Sequence, residues 1–161
     1  MAWVRVLVGA VWINGGVEKL LNGDFPQQFT SSLQAGGFVS QAPPFFQSFM
    51  ESFVIPNSGT IAQLVRIGEL SLGIVLILGL LTNLAAIGSI GMSIAIMLSQ
   101  GGVSLGTGLG APQFLNVNLI LALLAALVLF SAAAKTFSID SVIAKRNPGL
   151  SPLLTNSRKH R

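Results

Sequence analysis

The sequence predicts an all-α integral membrane protein: a bundle of four transmembrane helices, both termini cytoplasmic, with short Phe-rich amphipathic helices in the outer first connection. Three observations predict it. Only 9% of the 161 residues are charged and 52% are hydrophobic, against about 25% charged in an ordinary soluble domain. No Asp, Glu, Lys or Arg occurs in the 65 residues 70–134. Six of the nine basic residues (Lys135, Lys145, Arg146, Arg158, Lys159 and Arg161) fall in the last 27 positions, an asymmetry that suits a chain threaded through a bilayer rather than one laid on nucleic acid.

A hydrocarbon core about 30 Å thick takes about 20 apolar helical residues, and four segments answer to that. The first is residues 3–21, which end in Glu18 and Lys19 with no small-x-small cleavage site, so it reads as a retained span. The second, 61–81, carries Arg66 and Glu69 in its first half. The third, 84–99, follows across a short turn at residues 81–83, so the two form an antiparallel hairpin. The fourth is 115–134, preceded by a Gly-rich loop at 101–112. Ala85, Ser89 and Ser93 on span three, and Ala122 and Ala126 on span four, recur every four residues as close-packing faces do. Lys and Arg are absent from the long connections 22–60 (after the first span) and 100–114, which places both connections outside and both termini in the cytoplasm of an inner (plasma) membrane protein. The domain is expected to cover 1–142, with 143–161 a basic cytoplasmic tail that touches anionic headgroups.

Seven of the ten phenylalanines lie within residues 25–53. Two external helices account for them, at about 25–35 and 44–55. In the first, Asp24 is the expected N-cap, Pro26 stands in the first turn, Phe25, Phe29 and Leu33 repeat every four residues, and Gly36-Gly37 ends the pattern. In the second, Phe45, Phe46, Phe49, Met50 and Phe53 form one face and Gln47, Ser48, Glu51 and Ser52 the other. Such helices cap the bundle, lie in the interface, or fold back over the spans as a lid.

Each ionisable group inside a span costs about 2.5–3.5 kcal/mol on insertion scales, and such groups usually face the bundle interior. Here they are Glu18, Lys19, Arg66 and Glu69, with Asn14 one turn before Glu18 and with Asn116 and Asn118 opening span four. One reading is a zero-sum ion-pair latch between spans one and two. The other is a pocket in which Lys19 or Arg66 hydrogen-bonds a quinone carbonyl or an anion, flanked by Asn14, Asn116 and Asn118, while Glu69 or Glu18 exchanges the proton.

With no cysteine, disulfides, thiolate metal sites and iron–sulfur clusters are excluded, and the sole His160 provides neither bis-His haem nor a typical zinc site. No metal and no intrinsic cofactor are expected, so a redox role has to borrow its electron carrier. Gly106, Gly108 and Gly110 follow no strand and precede no Lys-Ser/Thr, unlike a phosphate loop. A solute carrier needs a polar path through both leaflets, and the uncharged inner halves of spans two to four speak against one.

Three motifs carry a family resemblance: Gly15-Gly16-Val17-Glu18-Lys19, with a Gly-x-x-Lys ending of the first span; Glu69-Leu70-Ser71-Leu72-Gly73-Ile74 followed by Leu78-Gly79-Leu80-Leu81-Thr82; and Ala134-Lys135-Thr136-Phe137-Ser138-Ile139-Asp140. In order and spacing the chain resembles the DoxX family of four-span membrane proteins, related to the DoxD subunit of thiosulfate:quinone oxidoreductase. It departs from the family at Asn83, where an Arg is frequent, and at Ala134 and Lys135, where Gly and Arg are. The resemblance implies a membrane component of redox metabolism, with quinone as diffusible acceptor, a sulfur compound as one reductant, and partner membrane subunits or a homo-oligomer. The alternative it leaves is a non-catalytic assembly or scaffold subunit of a larger membrane complex.

Overall fold

A computed structural model describes residues 1–33, 38–99 and 116–147, with 149 and 154, and among these every regular element is helical. The order is α1 (Ala2–Leu21), α2 (Phe25–Leu33), α3 (Phe38–Gln41), α4 (Pro44–Phe49) running into a π-helical turn (Met50–Val54), α5 (Ser58–Leu78), α6 (Thr82–Ser99), α7 (Val117–Phe130), a 3-10 turn (Ala132–Lys135) and α8 (Ile139–Arg146). By length and composition α5 and α6 can each cross a membrane, and α7 is equally apolar but only 14 residues long.

Small residues decide how the long helices pair. At Gly73 a Cβ would stand 2.7 Å from the Gly9 carbonyl oxygen and 2.7 Å from the Ile13 nitrogen, and at Gly16 one would stand 2.7 Å from the Leu70 nitrogen. Rising numbers on α1 thus meet falling numbers on α5, and the two antiparallel backbones touch through glycines. The second pair is α6 with α7, where Ala86 (0% exposed) packs with Val128. Trp12 joins the pairs: its indole Nε1–H donates to Ser89 Oγ at 2.6 Å within a core of Val8, Leu76, Ala85, Leu121 and Ala125. Ala85, Ser89 and Ser93 are all buried, as their four-residue spacing predicts, whereas on α7 Ala122 is buried with Ala125 and Ala126 is only half-buried.

Several boundaries differ from the sequence reading. The hairpin turn lies at residues 79–81 rather than 81–83. α5 ends at Leu78 because Gly79 adopts the left-handed conformation (φ 65°), a usual helix C-cap, and Leu81 follows at φ 48°. The apolar run through Leu80 and Leu81 hides that stop. α7 closes at Phe130, four residues early: Ser131 is extended and its hydroxyl accepts from the Ala134 N–H, starting the 3-10 turn. α8 runs across the expected 142/143 boundary.

Short helices form in the first connection at the predicted places, α2 as Phe25–Leu33 and the second as α4 plus its π turn, where the Ile55 N–H reaches the Met50 carbonyl at 2.8 Å. Asp24 directly precedes α2, its carbonyl accepting from the Gln28 N–H at 3.0 Å. α3 is an addition, while Gly36-Gly37 lies outside the described residues. Leu33, Val39, Met50 and Val54 give these short elements a small core of their own, and the Thr30 hydroxyl donates to Ser58 Oγ at 3.0 Å, tying α2 to the first turn of α5.

Gly73→Ala is expected to lower stability by about 1–3 kcal/mol through overpacking of the α1–α5 contact. Gly91→Ala, at a helical glycine with no atom within 4 Å of the added Cβ, should instead gain about 0.5–1 kcal/mol. Thermal unfolding of the two purified variants in detergent checks the opposite signs.

Candidate functional site

The last turn of α1 and the middle of α5 meet where α2 and α4 fold over them. On α5 the stripe Ile61, Val65, Glu69 repeats every four residues and faces a cavity of about 490 Å³. Phe25 and Phe29 of α2, Phe46, Phe49 and Phe53 of α4 and its π turn, and Met92 and Ile96 of α6 complete its walls. The rings are in register: Phe46 and Phe49 lie 5.6 Å apart, Phe49 stacks on Phe53 at 5.6 Å, and Phe25 and Phe29 lie 5.9 Å apart.

The charged part of this cavity is one ion pair, and Gln28, Ser32 and Ser99 also line it. Lys19 Nζ donates to Glu69 Oε2 at 2.8 Å and, more weakly, to the Gly15 carbonyl at 3.4 Å, and it lies 5.9 Å from the centre of the Phe25 ring. Glu69 is nearly sealed at 3% side-chain exposure, whereas Lys19 keeps 28%. A buried carboxylate depends on its partner, because desolvation offsets much of the Coulomb attraction and leaves little to spare if the cation goes. Gly15 makes room for the pair: a Cβ there would stand 2.9 Å from Glu69 Oε2 and 3.5 Å from Lys19 Nζ.

The remaining candidates are placed elsewhere. Glu18 and Asn14 are exposed and line no part of the cavity. A helix turns about 100° per residue, so the neighbours Glu18 and Lys19 cannot both face α5. Arg66 is half-buried beside the cavity stripe rather than on it, and among the described residues its Nε has no hydrogen-bond partner. Among the described residues the four-charge latch therefore reduces to Lys19 with Glu69. Asn116 and Asn118 work locally: Asn116 is the N-cap of α7, its Oδ1 accepting from the Asn118 backbone N–H at 2.8 Å and side-chain amide at 3.0 Å. The Gly101–Pro112 stretch with Gly106, Gly108 and Gly110, most of the basic tail, and His160 lie outside the described residues.

A second polar cluster, at the opposite end of the α1–α5 pair, escapes sequence reasoning. Arg5, Lys135 and Asp140 are 2%, 1% and 0% exposed. The Asp140 carboxylate accepts from the Leu81 and Thr82 N–H groups at 2.8 and 2.7 Å, and its own N–H donates to the Gly79 carbonyl at 2.9 Å, so it fastens the α5–α6 turn. Arg5 Nη2 donates to the Phe137 carbonyl at 3.1 Å, and Lys135 Nζ to that of Leu129 at 2.9 Å. The Arg5 guanidinium occupies the space that a Cβ on Gly79 would take, a second reason for glycine there. Burial holds the Lys135 ammonium below its ordinary pKa, with the Asp140 charge pulling the other way. Phe137 is left at φ 53°, a conformation that costs an ordinary residue about 1–2 kcal/mol. Lys135 and Asp140 stand in the third resemblance motif, which does not by itself bring them to Arg5; the Ser138 cap before Asp140 was the available local signal.

A family model described as the TQO (thiosulfate:quinone oxidoreductase) small subunit DoxD matches residues 1–153. The chain belongs to the DoxD family. The resemblance read from residues 15–19, 69–82 and 134–140 is thereby established, and the match to this membrane-protein family takes in both polar clusters and all of α8. No curated protein and no solved structure matches the chain.

Two outcomes follow for this DoxD-family chain. Lys19→Met strands a buried carboxylate and should cost about 2–3 kcal/mol, somewhat under the 3–5 of a sealed pair because Lys19 retains 28% exposure; the double variant Lys19→Met/Glu69→Met should recover most of that loss, as denaturant unfolding in detergent measures. Asp140→Ala strands two backbone N–H groups and leaves Arg5 and Lys135 without their carboxylate, an expected loss of about 3–5 kcal/mol, with a smaller loss for Asp140→Asn.

Proposed function

We propose that this protein is a membrane subunit of a quinone-linked oxidoreductase and that the cavity over Lys19 and Glu69 receives the quinone. The observation that carries this reading is a single ion pair set into a largely apolar, aromatic-walled cavity between long apolar helices. A quinone is a flat ring with two carbonyls on an apolar tail. Lys19 provides a charge-assisted donor for one carbonyl, the phenylalanines provide faces for the ring and tail, and Glu69 is positioned to exchange a proton as the quinone takes up two electrons and two protons. No side chain of this protein carries electrons. They come from the reductant, a sulfur compound on the family's precedent, directly or through a partner subunit.

The same reading extends to topology. Four spans with both termini in the cytoplasm of the inner membrane put Arg5 and the basic end of the chain inside. The cavity then opens in the outer leaflet, where a lipid-dissolved quinone enters sideways between the external helices and the bundle.

Binding of a short-chain quinone to the protein in nanodiscs, followed by thermal shift, and its reduction with thiosulfate in the presence of co-purifying subunits test the reading. Glu69→Gln should keep binding and lose about 10²–10⁴-fold in turnover. Lys19→Gln should weaken binding about tenfold, the loss of one charge-assisted hydrogen bond. A protein that neither binds nor reduces quinone, yet is required for larger subunits to assemble, is the scaffold that the sequence leaves as the alternative.

A further inference from the structure

α8 is held on one face and open on the other. Asp140 and Ala144, one turn apart, are buried, while Ile139 and Val142 are 39% and 52% exposed and Lys145 and Arg146 stand exposed at the helix end. Its N-cap is Ser138, whose hydroxyl accepts from the Ser141 N–H at 3.0 Å. The residue just before the cap is Phe137, 95% exposed and in the left-handed region.

An apolar residue in that place ordinarily folds onto the fourth residue of the helix and staples the entry of the chain. Here that residue is Val142, and the exposure of both side chains shows the staple unmade. The Arg5 contact to the Phe137 carbonyl holds the backbone in its unfavourable conformation and turns the ring outward. Among the described residues nothing repays the ring for that position. The charge on the open face is one-sided as well: the only acidic residue of α8, Asp140, is wholly buried, which leaves two cations outside. An apolar edge followed by cations, adjoining the end of an apolar helix, fits the boundary between acyl chains and anionic headgroups.

We propose that Phe137 and the open face of α8 form an in-plane anchor for an anionic lipid leaflet, with Phe137, Ile139 and Val142 entering the acyl boundary and Lys145 and Arg146 meeting phosphate-bearing headgroups. The anchor is independent of the quinone reading and of which side of the membrane this end faces.

The chain contains no cysteine, so Phe137→Cys and, separately, Val142→Cys give single attachment points for an environment-sensitive fluorophore in the full-length protein. Each is reconstituted into vesicles of phosphatidylcholine alone or mixed with phosphatidylglycerol. The anchor predicts emission typical of a membrane interface at both sites and quenching by lipids brominated on the upper acyl chain. It predicts that Lys145→Gln/Arg146→Gln lowers the docked-to-undocked ratio on the order of tenfold in the anionic vesicles and changes little in the neutral ones. Quenching by aqueous iodide at both sites in both vesicle types would overturn it. So would an apolar signal that brominated lipid does not quench, since a protein surface would then cover the face. Unchanged melting of the labelled proteins, measured alongside, shows that either result comes from the folded state.

Discussion

The 2.8 Å contact between Lys19 and Glu69 constrains nearly everything around it. A carboxylate on the middle of an apolar helix is tolerable only beside a cation, and the cation arrives from a different helix. That requires α1 and α5 to run side by side at close range, which side chains of ordinary size would prevent. Gly9, Gly16 and Gly73 remove the obstruction along the contact, and Gly15 leaves the opening in which the two charged groups meet. α6 and α7 then add a second pair of helices, linked to the first through Trp12 and Ser89.

The α1–α5 pair carries charge at both ends, and the two ends are built for different purposes. At one, Arg5, Lys135 and Asp140 are sealed, and the carboxylate is spent on backbone N–H groups of the α5–α6 turn. Such an arrangement fixes geometry. At the other, the pair is half-open on its lysine side and faces a cavity walled by phenylalanine. Among the described residues, only there does a cation combine access and an apolar approach with a buried carboxylate beside it, which is why the functional reading rests on Lys19 and Glu69 and not on the more deeply buried cluster.

Much of this was legible in the sequence because the signals are local or compositional. The long uncharged run fixes apolar helices, the four-residue repeat of Phe25, Phe29 and Leu33 fixes α2, and Ala85, Ser89 and Ser93 mark a packing face. Lys19 and Glu69 stand out as ionisable groups in apolar surroundings. What stayed hidden depends on partners distant in sequence or on single backbone angles. Which of Glu18 and Lys19 faces α5 is a question of helix rotation, settled by where Gly9 and Gly16 must lie. Arg5 and Asp140 are 135 positions apart, and each looks like an ordinary end-of-span charge until the fold buries them beneath the α5–α6 turn. Gly79 ends α5 inside an unbroken apolar run, where hydropathy carries no information about φ.

The most direct measurement is the infrared carbonyl stretch of an isotope-labelled quinone bound to the reconstituted protein. With the ring seated against Lys19, one of the two carbonyls should move to lower wavenumber than in lipid, and the shift should vanish in Lys19→Gln while surviving in Glu69→Gln. Two carbonyls at their lipid values, or a shift indifferent to Lys19, would contradict the placement of the quinone in this cavity.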